Sequence, residues 1–204
     1  TSDPARPCDT RTALRRGWRT VGGRGSWSAT AKGERIGKGG RGGAPSEKLP
    51  ASQFQTIDGN RVSKRATFSN VEKLIAQHTY ETGIIVDSQG FVLAAYKGGK
   101  NSVNFGSDSG KVKGNIVTHN HPSGAAAFSV ADIKSTGNLG GVGIRATTKG
   151  NGTAVLAKAS NNPQWGKMAS AYSKHLGSGK TVSQAQDWLK KNAPLYGLKF
   201  TLER

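Results

Sequence analysis

Two histidines, a serine and an aspartate in the stretch THNHPSGAAAFSVADI have types and spacings that could hold a metal ion and work with it. His119 and His121 are two apart in a segment that reads as a strand. Alternation therefore sends both imidazoles out of one face, toward a single ion. Pro122 ends the strand, and after six residues Ser129 opens a helix with Asp132 in its first turn. Two imidazoles and one carboxylate suit Zn2+ and leave one tetrahedral position for water. Hydrolysis also needs a group that takes a proton from that water and returns it to the leaving amine. Glu81, where the first helix meets the first strand in ETGIIVD, is the candidate, because a carboxylate near a helix C-terminus has little structural reason to be there. Ser129 is the candidate donor to an oxyanion or to the water. Ser129 and Asp132 also have the spacing of a helix-capping pair, and the two roles are compatible.

His-x-His-Pro, six residues, Ser, two residues and Asp, preceded at a distance by a glutamate, resembles the JAMM motif of the JAB/MPN metalloproteases. The resemblance covers roughly residues 66–160. It implies His119, His121 and Asp132 as zinc ligands, Glu81 as acid-base and Ser129 as oxyanion helper. It also implies a JAB/MPN-like, cytidine-deaminase-like architecture and a metallopeptidase or isopeptidase acting on a protein or peptide substrate. HNHPSG is closest to the RadC-like branch and to JAB domains attached to phage head-morphogenesis proteins. The H-x-E and P-C-x-x-C pair of nucleoside deaminases, the helical H-E-x-x-H and the G-x-S-x-G elbow are all absent.

The elements that must position these residues follow from periodicity. Val71, Leu74, Ile75 and His78 recur at helical spacing, with Ser69 and Glu72 as a capping box, which predicts a helix from Phe68 to about Tyr80. TGIIVD, the turn SQG and FVLAAY predict a hairpin. The 18-residue loop KGGKNSVNFGSDSGKVKG is long enough to form a flap beside a cleft. GNIVTHNH, VGIRATT, GTAVLAKA and LKFTLE read as strands. Two helices precede the last of them, one carrying Trp165, Met168, Ala169, Tyr172 and Leu176 as a core stripe. The order argues for an α+β fold, a mixed β-sheet flanked by helices. His78 and His175 sit in helical patterns and take no role.

The core lies downstream. Residues 1–65 show no apolar period, and their 14 Lys+Arg face 5 Asp+Glu, so they read as a flexible basic leader ahead of a 66–204 domain. Net charge of +18 suits an anionic partner. A single cysteine, Cys8, excludes a disulfide framework and a cysteine-rich zinc knot. No apolar run reaches a membrane span and no secretion signal opens the chain, which reads as cytoplasmic in a bacterium or host cell, or as a virion component. With Thr1 first and Met168 the only methionine, the chain has the pattern of a piece of a longer polypeptide. A second function class is a nucleic-acid-associated or phage head-assembly module with a structural or vestigial metal site, in which the basic leader binds phosphate backbones. Trp18 and Trp27 among its arginines have the chemistry to stack on bases, beside the plainer reading of an electrostatically sticky linker. Under the module reading, deleting residues 1–65 abolishes salt-sensitive binding of a labelled DNA duplex, measured by anisotropy between about 50 and 200 mM salt; undiminished binding overturns the leader's role.

Overall fold

β-branched and apolar runs bounded by glycine become the strands of one central sheet, with helices on both of its faces. The computed structural model describes residues 46–54, 56–58, 61–63, 68–177 and 179–203. In chain order the elements are β1 (Glu47–Leu49), β2 (Thr56–Asp58), β3 (Arg61–Ser63), α1 (Phe68–Ile75), β4 (Thr82–Val86), β5 (Val92–Lys97), β6 (Ile116–Asn120), α2 (Val130–Asn138), β7 (Gly143–Thr148), β8 (Gly152–Lys158), α3 (Trp165–Leu176), α4 (Val182–Asn192) and β9 (Leu198–Glu203). Seven strands pair in the order β1-β5-β4-β6-β7-β8-β9, and β2 with β3 forms a separate hairpin. This is the α+β arrangement with a mixed sheet that the element order predicts. No helix among the described residues is long and apolar enough to cross a membrane.

Only β6 and β7 are parallel. A parallel pair needs a crossover, and α2 is that crossover, so its N-terminus starts beside the C-terminal end of β6. This brings Asp132 toward His119 and His121. One sheet face packs Ile84, Val86 and Ala95 on Val71 and Ile75 of α1 and on Phe54. The other carries Ile85, Val117, Ile144, Ala154 and Leu156 against Phe128, Ile133, Met168, Tyr172 and Leu189. At Gly137 of α2 an added Cβ would lie 2.3 Å from the Trp165 Cβ, so the glycine permits the close approach of α3.

Four expectations change. The domain begins before residue 66: β1 pairs with β5, Ser46 Oγ accepts the Asn104 N–H at 2.8 Å, and Leu49 and Phe54 join the α1-side core. The leader expected over residues 1–65 therefore contributes to the sheet. Residues 1–45, with Cys8, Trp18 and Trp27, lie outside the described residues. They hold 10 Lys+Arg against 3 Asp+Glu, and a deletion that leaves β1 intact stops at residue 45. Second, α1 ends at Ile75 and not near Tyr80. Third, Glu72 is no capping side chain. It is buried under the sheet, where its carboxylate accepts from Arg145 at 2.5 and 3.0 Å and from the Thr118 and Thr153 hydroxyls at 3.0 and 3.3 Å. Fourth, the long loop is packed and not a flap. Val103, Phe105 and Val112 are buried, and residues Gly106–Val112 form a 3-10 turn.

Asp108 pins that turn. It accepts the Tyr96 phenol at 3.0 Å and pairs with Lys48 at 2.7 Å and Lys111 at 3.0 Å. Hydrogen bonds from Lys48 and then Lys111 hold its carboxyl down to about 2, below the ordinary 3.8. The folded value is the lower one, so the stabilisation is complete above the unfolded pKa and is lost as pH falls toward about 2. Asp108→Asn should cost on the order of 1–2 kcal/mol near neutrality, after discounting for solvent around Lys48. Denaturant unfolding should show that difference closing between pH about 4 and about 2.

Candidate metal centre

Strand β6 is buried on both faces, and its alternation separates two polar pairs. His119 and His121 project toward α2, Thr118 and Asn120 toward α1. Residue 121 lies just beyond the strand, but its N–H donates to the Thr147 carbonyl at 2.9 Å and extends the pairing with β7. The two Nε2 atoms are 2.8 Å apart, and Asp132 Oδ2 is 3.9 Å from one and 4.0 Å from the other. His119 and Asp132 are 0% exposed and His121 is 1% exposed. Among the described residues this is the one group of three or more His, Cys, Asp and Glu side chains close enough to share an ion.

A triangle with sides of 2.8, 3.9 and 4.0 Å tests the fit. The nearest point equidistant from its corners, in their plane, lies about 2.1 Å from each, so the roughly 2.0–2.2 Å that a small divalent ion keeps from imidazole and carboxylate is within reach. Calcium, which takes about six to eight oxygen ligands, suits two imidazoles poorly. Protonation states agree with ligation. His121 Nδ1 donates to the Ala125 carbonyl at 2.7 Å, and because a carbonyl only accepts, Nε2 of the neutral ring offers its lone pair. Burial pushes His121 down to about 4 and, together with the neighbouring His121 ring, pushes His119 well below its ordinary value. Both rings are neutral near pH 7. At 2.8 Å the two Nε2 atoms are within hydrogen-bond distance, so a proton on His119 Nε2 or a shared cation can lie between them.

Asp132 is the third residue of α2 and part of a reciprocal cap. Its N–H donates to Ser129 Oγ at 3.1 Å, and the Ser129 N–H donates to Asp132 Oδ2 at 2.6 Å. The oxygen that faces the histidines is thus the one the cap orients. Ser129 is 3% exposed, and with its oxygen accepting from the backbone, its hydroxyl proton remains the group it can offer. Other elements anchor the connection from His121 to Ser129. Asn151 Nδ2 donates to the Gly124 carbonyl at 3.0 Å, Gln186 Nε2 to that of Ala126 and the Tyr172 phenol to that of Phe128 at 3.0 Å. Burial, and then the charge of Asp132, push that phenol up.

Glu81 lies just ahead of β4 and not at a helix end. Gly83, two residues on, is opposite His119 where the β4–β6 pairing ends, and Glu81 is outside the His119–His121–Asp132 cluster. The macrodipole argument does not apply, because α1 stops at Ile75. Its N–H donates to the Gly99 carbonyl at 2.8 Å, its carbonyl accepts the Gly98 N–H at 2.7 Å, and the residue is 0% exposed. A Cβ at Gly83 would lie 2.8 Å from Val103 and 2.9 Å from Phe105, so the long loop walls the centre there. Sequence reasoning overlooked Asn120. Its position between two histidines signals the opposite face, but its partners lie 38 to 42 residues away. His78 bonds the Thr82 hydroxyl at 2.7 Å and His175 stacks on Trp188; neither belongs to the three-residue cluster.

Plasma mass spectrometry of the dialysed chain should find about one divalent ion per chain, lost when His119→Ala and His121→Ala are combined. A metal-free wild-type chain that cannot be loaded would remove the centre. No protein-family model matches this sequence, and no curated protein or solved structure does, so the centre rests on its own geometry.

Proposed function

We propose that the chain is a zinc-dependent metallopeptidase or isopeptidase of the JAMM type that its motif resembles. The observation that carries this reading is the convergence of His119 Nε2, His121 Nε2 and Asp132 Oδ2 at spacings that one zinc ion can bridge. His119, His121 and Asp132 would hold the zinc, which would supply a Lewis acid for a carbonyl and a lowered pKa for water. Glu81 takes the proton of the attacking water and returns it to the leaving nitrogen. Ser129 offers its hydroxyl proton to the developing oxyanion, its own oxygen held by the Asp132 N–H. Tyr172 and Gln186 keep the connection between His121 and Ser129 in place. Glu81, His119, His121 and Asp132 are at most 1% exposed, so the substrate carbonyl reaches them only in a form opened relative to this one.

With the zinc-loaded chain and a panel of fluorogenic peptides and isopeptides, Glu81→Gln should keep the metal and lose about 10²–10⁴ in rate. A variant as fast as the wild type assigns the proton transfers to another group.

A further inference from the structure

We infer that Asn120 is the positioning residue for Glu81, its side-chain amide holding the backbone on either side of Glu81 from the face of β6 opposite the metal ligands. The inference rests on the reading of Glu81 as the acid-base group. Asn120 is 0% exposed, and a buried amide has to place both its oxygen and its nitrogen. Its Oδ1 accepts the Thr82 N–H at 2.6 Å, and its Nδ2 donates to the Tyr80 carbonyl at 3.0 Å and to the His78 carbonyl at 3.4 Å. These backbone groups bracket Glu81 in the chain.

The β4–β6 pairing runs from Val86 to Gly83, opposite His119. Beyond that point the Asn120 side chain takes over, reaching across to the incoming chain where main-chain pairing stops. On the other side, Gly98 and Gly99 hold Glu81 through its own N–H and carbonyl. The residue is clamped from both neighbours. Holding the Tyr80 carbonyl and the Thr82 N–H restricts the backbone on both sides of Glu81 and with it the direction of the carboxylate. Alternation carried back from Gly83, opposite His119, turns it toward the histidine face. One strand therefore sets both ligand and base: its odd residues bind the metal, and the even residue between them holds the segment that bears the carboxylate.

The side-chain chemistry is specific. Alanine supplies neither bond. Aspartate keeps the acceptor for Thr82 but directs carboxylate oxygen at two carbonyls, so an isosteric change still breaks the hold. Neither change touches a ligand atom. Asn120 should thus act on the rate and leave metal binding alone.

The test uses the full zinc-loaded chain with Asn120→Ala, the isosteric Asn120→Asp as a second variant if the first folds poorly, and each combined with Glu81→Gln. Zinc affinity, by competition with a chromophoric chelator, should stay within about twofold, while kcat falls about 10–100-fold with KM little changed. Hydrogen exchange should accelerate at least about tenfold at the Thr82 amide in Asn120→Ala and not in β7. Added to Glu81→Gln, the Asn120 change should lower the residual rate by less than about twofold, because residues acting as one unit are not additive. Zinc loss in step with the rate loss, unchanged exchange at Thr82, or an equal rate loss in the Glu81→Gln background would each overturn the assignment. A wild-type chain that holds zinc and cleaves nothing in the panel defeats the hydrolase reading, and the exchange comparison then decides alone whether Asn120 holds this segment.

Discussion

Residues 118–121 place four consecutive polar side chains at the centre of the sheet, all but excluded from water, and every one has to find a partner inside the protein. An unsatisfied buried group costs about 1–3 kcal/mol, so four together would consume much of the stability of a domain this size. Each demand is met by a different part of the chain. Thr118 donates to Glu72 of α1, and Asn120 binds the segment entering β4. His121 donates to the Ala125 carbonyl, and both histidines face Asp132 at the start of α2. Satisfying one strand fixes the elements around it.

The two faces meet this demand by different physics. On the α1 face the answer is ionic: Glu72 and Glu203 share Arg145, and the Arg145 guanidinium also lies 4.6 Å from the Phe68 ring centre. Two carboxylates offset one guanidinium, and those hydrogen bonds oppose the desolvation of the Arg145 charge. The α2 face answers differently: two imidazoles and a carboxylate converge there, close enough to share an ion. The carboxylate also benefits from its place in the first turn of α2, where the helix dipole favours negative charge.

Rigidity here comes from fastening polar groups to backbone. The connection between His121 and Ser129 has its carbonyls tied to Asn151, Gln186 and Tyr172, and the segment bearing Glu81 is held between Asn120 and Gly98–Gly99 contacts. Such support fixes the positions of these groups closely. It also encloses them, so access and precision compete at this centre.

The grouping of His119, His121 and Asp132 was legible in the residues themselves because each relation is local: a separation of two on a strand, and a cap three residues into a helix, are set by backbone geometry at short range. The strands and the α+β class were legible for the same reason, since burial imprints its period on the sequence. The tertiary structure decided what depends on distant pairing. Glu72, which has the spacing of a cap, is drawn under the sheet by Arg145, 73 residues away. The glycine-rich loop is anchored by Val103 and Phe105 filling the space that Gly83 leaves, and β1 joins the fold through its pairing with β5. Asn120 has an evident face but no evident partners, and Glu81 is held by backbone bonds to Gly98 and Gly99. Local spacing dictates where a side chain points; only the assembled sheet dictates what it meets, because those partners are brought together by long-range packing that no short-range period encodes.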